Sequence, residues 1–334
     1  MGSNVTVVLP VYNAESTIAA SIRSVQEQTY RHWTLLVVDD GSTDGTRKVV
    51  ERAIAGDPRC QVIRREHTGL IHTLNAGLDA VPANCAYVAR MDADDRMHAE
   101  RLACQVRALD EHNHLALVSS RIVVEPQTPG FESYIDWLNS LVTSEDIARN
   151  LYVESPVCHP SVMARTVALL AVQGDRDQGW PEDYDLWLRL AERGEQMAQA
   201  QGAIHVWTDS PNRLTRTDPR YDHSQFTRLK AHFLARRWPE AVRIWGAGRD
   251  GRRMARALEA EGVRIQSFID IDPKKIGGVR RGNVPVVGPD SLEPPKPTDS
   301  PIVTAVGVPG ARAWIRGELE AKGFVECRDF VCAA

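Results

Sequence analysis

Two short apolar runs in this chain each end in a knot of carboxylates: Leu35–Val38 runs into Asp39-Asp40-Gly41-Ser42, and Tyr87–Met91 runs into Asp92-Ala93-Asp94-Asp95. A brief apolar run closed by turn-forming residues reads as a buried strand. Val5–Leu9, Gln61–Arg64 and Ala116–Ser119 continue the series, with amphipathic, helix-like segments between them. This alternation predicts a mainly parallel sheet with helices on both faces. It puts both acidic knots at the C-terminal edge of the sheet, where open α/β sheets bind ligands. Helices are expected over Gly45–Ala55, capped from Ser42-Thr43-Asp44, and over Leu70–Ala80, capped from Thr68-Gly69.

Carboxylates crowded together are unfavourable unless a cation or hydrogen-bond donors compensate them. Residues i and i+2 of an extended segment face the same side, so Asp92 and Asp94 can converge on one point. A hard divalent ion, Mn²⁺ or Mg²⁺, suits that point, because such ions take one or two carboxylates together with phosphate oxygens. Asp-x-Asp after a strand is equally an ordinary polar turn, so the pattern alone does not decide between the two.

Composition narrows the partners. Across 334 residues, 40 Lys and Arg stand against 44 Asp and Glu for a net charge of −4, which supplies no global field for nucleic acid. The six cysteines form no Cys-x-x-Cys pair, as expected of reduced thiols in the cytoplasm. The first residues lack a basic region and their apolar run meets Pro10, so they read as a strand rather than a secretion signal. No run approaches the ~20 apolar residues of a membrane span, which leaves peripheral contact as the only membrane association expected.

From Pro126 to about Pro181 the periodicity weakens, with turn signals at Thr128-Pro129-Gly130, Ser155-Pro156 and Gly174-Asp175, before a strong helical pattern over Glu182–Arg193. A fresh strand, Val242–Trp245, follows Trp238-Pro239, so the expected domains are 1–238 and 239–334. The second opens with Gly246-Ala247-Gly248-Arg249-Asp250-Gly251 between a strand and a helix, and Asp270 closes the next strand. Gly246, Gly248, Gly251 and Asp270 thus fit a dinucleotide-type fingerprint, with a phosphate on the helix N-terminus.

The acidic knots do not stand alone. Val5 to Glu15 (Val-Thr-Val-Val-Leu-Pro-Val-Tyr-Asn-Ala-Glu), Ser24–Thr29 and Val37–Thr46 are followed by Thr68-Gly69-Leu70, Leu74–Leu78, Arg90–Asp95, Arg101-Leu102, Gln105 and Glu182–Trp187. In that order, over roughly residues 3–235, they resemble a family 2 glycosyltransferase. The resemblance implies an α/β chain with a GT-A nucleotide-diphospho-sugar transferase fold, a nucleotide-sugar donor, a divalent metal, inversion at the anomeric carbon and a hydroxyl acceptor on a glycan, a lipid-linked sugar or a similar molecule.

Carried over by position, Pro10, Tyr12 and Glu15 line the base pocket, and Asp40 accepts the pyrimidine N3–H, which favours a UDP-sugar. Asp39 holds the turn. Asp92 lies by the ribose or metal, Asp94 binds the metal, and Asp95 caps the next helix. Glu182-Asp183 matches a pair whose Asp serves as general base, with Glu182 or Asp185 as substitutes; acids in a first helical turn also simply favour the helix. Arg90 either orients the diphosphate or pairs with a carboxylate. His159, matching a position on the acceptor-side strand, is either a substrate contact or a structural histidine. Arg213, Arg216 and Tyr221 lie on a basic segment able to close over the diphosphate. Where relatives carry a Gly-Gly-Tyr-like turn before the Glu-Asp helix, this chain has Val172-Gln173-Gly174-Asp175-Arg176.

The segment Phe268–Gly277 with Val284–Gly288 resembles the Rossmann-like N-terminal domains attached to some bacterial sugar-modifying enzymes, which can hold a nucleotide or serve as docking modules. Two other functions fit these residues less well. A sugar-phosphate nucleotidyltransferase needs a Gly-rich basic loop after the first strand, which Pro10–Glu15 lacks. A non-catalytic nucleotide-sugar sensor would have no use for Asp92, Asp94 and Asp183 together.

Overall fold

Every residue of the first strand, β1 (Val5–Val11), is buried, as befits a strand covered on both faces. Its side chains alternate between two cores. Val5, Val7, Leu9 and Val11 pack with Ile18 and Ile22 on one face, while Val8 meets Val38, Leu74 and Val88 on the other.

The computed structural model describes residues 2–126, 132–210 and 213–334; the turn expected at Thr128-Pro129-Gly130 lies outside them. The chain divides into two units: Met1–Ile147, Pro156–Gln178 and Glu182–Thr217 form the first, and Ala148–Ser155, Gly179–Pro181 and Asp218–Ala334 form the second. After β1 come α1 (Ile18–Gln26), β2 (Trp33–Asp39), α2 (Thr46–Ala53), β3 (Cys60–Arg64), α3 (Leu70–Asp79), β4 (Tyr87–Arg90), β5 (Arg96–Met97), α4 (Arg101–Glu111) and β6 (Leu115–Glu125). Then follow α5 (Glu132–Ser140), α6 (Ser144–Asn150), β7 (Met163–Arg165), α7 (Thr166–Ala171), α8 (Glu182–Glu192), β8 (Gln196–Thr208) and α9 (Leu214–Thr217).

The sheet of the first unit runs β3-β2-β1-β4-β7-β6-β8-β5. The pairs among β3, β2, β1 and β4 are parallel, and β7 is antiparallel to both of its neighbours. The expected alternation is present, with two differences. β1 does not stop at Leu9: β2 accompanies it to Val11 while β4 pairs with it only as far as Val8, so Pro10 lies beyond the end of that neighbour's ladder. The stretch read as irregular holds helices and the short β7, and β8 runs alongside β6 from Leu115 to Glu125.

The second unit contains α10 (His223–Arg237), β9 (Ala241–Trp245), α11 (Arg249–Ala260), β10 (Arg264–Ile269), β11 (Val279–Arg280), β12 (Val284–Val287), β13 (Ile302–Thr304), α12 (Ala311–Ala321) and β14 (Phe330–Cys332). Its sheet order is β11-β12-β10-β9-β13-β14, parallel except for β11 on β12. The chain order reverses direction at β9, and the glycine loop leaves from that strand's C-terminal end.

Candidate active site

At the end of β4 the carboxylates of Asp92, Asp94 and Asp95 offer oxygens that all lie within 4.8 Å of one another. Burial, then the charges of Asp92 and Asp95, push the Asp94 carboxyl up to about 7. Burial and Asp92 push Asp95 to about 7 as well. The knot thus carries more negative charge than its surroundings compensate, the condition a divalent cation relieves.

Asp95 is not the helix cap the sequence suggested. Its Oδ1 accepts Thr208 N–H at 2.8 Å and its Oδ2 lies 2.8 Å from His205 Nε2, whereas α4 begins from Glu100. Arg101, fully buried, places its guanidinium 2.9 Å from His205 Nδ1 and donates to the carbonyls of Arg90 (2.9 Å) and Val162 (3.2 Å). A guanidinium only donates, so His205 Nδ1 accepts and Nε2 carries the hydrogen given to Asp95. Burial and then Arg101 lower the His205 pKa well below the ordinary value, keeping this imidazole neutral. The chain Arg101 to His205 to Asp95 ties the acidic loop to β8. His205 was missed from the sequence, and Arg101 appeared there only as one residue of the family pattern.

At the end of β2, Asp39 Oδ1 accepts Ser42 N–H at 3.0 Å and holds the turn. Asp40, 3% exposed, accepts the N–H groups of Thr68 (3.0 Å) and Gly69 (2.9 Å) on its two oxygens and so anchors the segment that leads into α3, whose N-cap is Gly69, without a side-chain hydrogen bond from Thr68 to the helix. Burial works to raise its pKa, but these donors, with Thr73 and His67, bring it below the ordinary carboxylate value. Tyr12, half exposed, stacks on His67 with ring centroids 4.0 Å apart. Glu15, expected in the base pocket, accepts Gly45 N–H at 2.7 Å and caps α2, while Asp44 accepts Thr46 N–H at 2.9 Å. Pro10 is buried within β1.

Arg90, buried, lies 2.8 Å from Asp92 Oδ1. Burial works to lower its pKa, yet Asp92, Glu182 and Asp175 together raise it, so this one cation faces both the acidic knot and the opposite wall. On that wall α8 begins with Glu182 and Asp183. Burial, then Glu182, pushes the Asp183 carboxyl up to about 8; one of its oxygens accepts Tyr184 N–H at 2.7 Å. Asp185 is ion-paired to Arg189.

Asp175, which the sequence marks only as a turn residue, has a buried Oδ1 with no hydrogen-bond partner among the described residues. Burial and Glu182 push its carboxyl to about 7, and Asn75 clamps its backbone on both sides, at 2.8 and 2.9 Å. His159 does not lie on a strand; it opens a short 3₁₀ turn ahead of β7. It sits 3.8 Å from Asp175, 3.9 Å from Glu182 and edge-on to Trp187. Burial and then Arg90 lower its pKa well below the ordinary value.

Arg213 stacks on Trp207, its guanidinium 3.6 Å from the ring centre, and its charge reaches Asp94 and Asp95. Arg216 pairs with Asp209 at 2.9 Å. Tyr221 belongs to the second unit. In that unit Gly246 has φ +117°, and a Cβ on Gly251 would lie 1.7 Å from the Gly246 carbonyl, so the fingerprint glycines have steric reasons of their own. Gly246, Gly248, Asp270, Lys275 and Trp314 line a cavity of about 350 Å³. Asp270 accepts Ala247 N–H at 2.9 Å and is paired with Lys275 at 3.0 Å.

Residues 6–171 match the model of the family described as Glycosyl transferase family 2. The putative glycosyltransferase EpsE of Bacillus subtilis is 31% identical over 209 residues, covering 61% of this chain and 72% of EpsE. The Escherichia coli UDP-Glc:alpha-D-GlcNAc-diphosphoundecaprenol beta-1,3-glucosyltransferase WfgD is 40% identical over 111 residues, 33% of this chain and 42% of WfgD. Among solved structures, S. aureus TarS 1-349 in complex with UDP-GlcNAc aligns with a TM-score of 0.56 at 19% identity, covering 76% of this chain and 71% of that one. The mannosyltransferase PcManGT from Pyrobaculum calidifontis, in complex with GDP-Man and Mn²⁺, aligns with a TM-score of 0.51 at 19% identity over 72% and 64% of the two chains. These structural likenesses show a shared GT-A fold. The family match takes in the strands that carry Asp40, Arg90, Asp92 and Asp94, and the EpsE alignment covers most of that relative, so this chain belongs to glycosyltransferase family 2 and is a glycosyltransferase.

Proposed function

We propose that this enzyme moves a sugar from a nucleoside-diphosphate donor, a UDP-sugar by preference, to an acceptor hydroxyl, with inversion and with Mn²⁺ or Mg²⁺, in the assembly of a surface glycan or glycoconjugate. The observation that carries the reading is the acidic knot after β4, whose oxygens lie within 4.8 Å of one another and whose Asp94 carboxyl is pushed up to about 7. Asp94 and Asp92 would hold the ion, and an ion there supplies positive charge to the departing diphosphate.

The chain's own residues divide the remaining work. Tyr12 offers an aromatic face to the base, and Asp40 an acceptor for a ring N–H. Arg90 holds Asp92 in place. Asp183 takes the acceptor proton as the hydroxyl attacks the anomeric carbon; a carboxyl raised toward the working pH is a better base than an ordinary one. Inversion follows from a single displacement in which base and leaving group lie on opposite sides of that carbon.

Relatives support the donor class: WfgD is named for UDP-Glc, TarS is solved with UDP-GlcNAc, and PcManGT with GDP-Man and Mn²⁺. WfgD's diphosphoundecaprenol-linked substrate makes a lipid-linked acceptor at the cytoplasmic face of a membrane the first to try. No helix among the described residues is long and apolar enough to cross a membrane. For the second unit, the cavity beside Gly246 and Gly248 favours a nucleotide-sized ligand.

The test is thermal denaturation with UDP-Glc, UDP-GlcNAc and GDP-Man, each with and without Mn²⁺. A ligand at 100 times its Kd adds about 2.7 kcal/mol to native stability. A UDP-sugar should raise Tm only with the metal present. A panel in which no nucleotide sugar does so overturns the reading.

A further inference from the structure

We infer that the side chain of His67 occupies the nucleobase slot of the free enzyme and that the donor's base must displace it. The inference rests on the base site between Tyr12 and Asp40 proposed above.

His67 lies nearly parallel to Tyr12, the ring centroids 4.0 Å apart and the planes 21° from each other. Its Nδ1 is 2.8 Å from Asp40 Oδ2 and 3.1 Å from the Asp40 carbonyl oxygen. Both neighbours are acceptors, so Nδ1 carries a hydrogen. The imidazole therefore presents a flat face to Tyr12 and a ring N–H to Asp40. Those are the two features by which a uracil ring would be recognised there.

The imidazole leaves no room at Asp40 Oδ2 for a second ring N–H. On Asp40, Oδ1 accepts from Thr68 N–H at 3.0 Å and from the Thr68 hydroxyl at 3.3 Å, while Oδ2 accepts from Gly69 N–H at 2.9 Å and has His67 Nδ1 in van der Waals reach at 2.8 Å, the imidazole N–H being given to the Asp40 carbonyl oxygen. The two amide donors are fixed by the backbone that opens α3. Gly69 sits at φ +93°, and a Cβ on Gly41 would lie 2.8 Å from His67 N, so the loop is seated tightly against Asp40-Gly41. Rotating the Thr68 hydroxyl away would free one lone pair and leave Tyr12 covered. Moving His67 clears both the approach to Oδ2 and the aromatic face, and its side chain is 52% exposed.

Donor binding then competes with an internal ligand, and the observed affinity falls by the fraction of time the slot is open. The test is calorimetry on the full chain with Mn²⁺, comparing wild type, His67→Ala and Tyr12→Ala against UDP and against inorganic pyrophosphate. His67→Ala should bind UDP roughly 3–10-fold tighter, the range expected for removing one competing hydrogen bond, and pyrophosphate unchanged. Unchanged or weaker UDP binding by His67→Ala, with Tyr12→Ala still weakened, overturns the displacement and leaves the base site standing. If Tyr12→Ala binds UDP normally, the base site falls and the displacement with it. NMR supplies a second readout: the His67 ring protons should leave the ring current of Tyr12 as UDP saturates the protein, and an unshifted ring at saturation overturns the inference.

Discussion

Arg189 reaches back one turn along α8 to Asp185, Nε to Oδ2 at 2.6 Å, and gives its two terminal nitrogens to the carbonyls of Val172 (2.6 Å) and Gly174 (2.8 Å). The helix that begins with Glu182-Asp183 and the turn that carries Asp175 are thereby one piece. The side chains of Arg189 and Asp185 are 8% and 4% exposed, so this pair has exchanged water for a fork of three hydrogen bonds.

Arg189→Leu should therefore cost stability, because it strands a buried carboxylate and two carbonyls; breaking a buried pair typically costs about 3–5 kcal/mol. Arg189→Lys keeps the charge without the planar fork and should recover only part of the loss. Urea unfolding measures both. A leucine variant as stable as wild type would show that the turn is held by something else.

Asp94→Ala should behave in the opposite way. It removes a carboxylate that burial and its neighbours already disfavour in the ionised state, so the metal-free protein should be no less stable at pH 8 than wild type. Mn²⁺-dependent UDP affinity should fall roughly tenfold or more, since even indirect supports of a metal site are worth that much. A folded variant with unchanged Mn²⁺ dependence would remove Asp94 from the metal site.

How far the sequence reached depends on whether the relevant partner was near in the chain. β1, β2 and β4 were legible because each is a short apolar run ended by turn-forming residues, and that same punctuation put Asp40, Asp92 and Asp94 on one sheet edge. β8 was not, because Gln196, Gln199, Gln201 and Gly202 interrupt its alternation and its strand character comes from pairing with β6. Arg101, Gln105 and His205 carry side chains that hydropathy assigns to the surface, yet they are fully buried because they satisfy one another and nearby carbonyls. Asp95 looked like a local cap because its partners, His205 and Thr208, lie on a strand more than a hundred residues on. The Tyr12–His67 stack is equally non-local, and no periodicity in the chain announces it.

Asp175, whose carboxyl is pushed up to about 7, contributes to a pH dependence of stability that Asp94, Asp95 and Asp183 share. An unfolded Asp titrates near 3.9, so between about pH 4 and 7 native Asp175 holds a proton the unfolded chain has lost. Its contribution is complete below that window and is lost as pH rises through it. Asp175→Asn does not titrate, so relative to wild type it should gain on the order of 1–3 kcal/mol between pH 5 and 8 in metal-free buffer. Denaturant midpoints at the two pH values test this. A wild-type to variant difference that stays constant with pH would contradict the shift.

Asp183→Asn probes the chemistry itself. An amide cannot take the acceptor proton, so transfer should fall by roughly 10²–10⁴, the usual range for loss of a general base. Donor binding should survive, because Tyr12, Asp40 and the acidic knot are unchanged; the loss should appear in kcat with the UDP Kd intact. The base acts in its ionised form, and burial raises the pKa of Asp183, so the wild-type rate should climb with pH on the acid side and the asparagine variant should lose that limb. Asp185, gripped by Arg189, is a poor substitute for it. Glu182, 3.9 Å from His159 and almost fully buried, is the neighbour to compare, through Glu182→Gln. Near-normal turnover in Asp183→Asn together with the collapse of Glu182→Gln would move the proton transfer one residue back along α8.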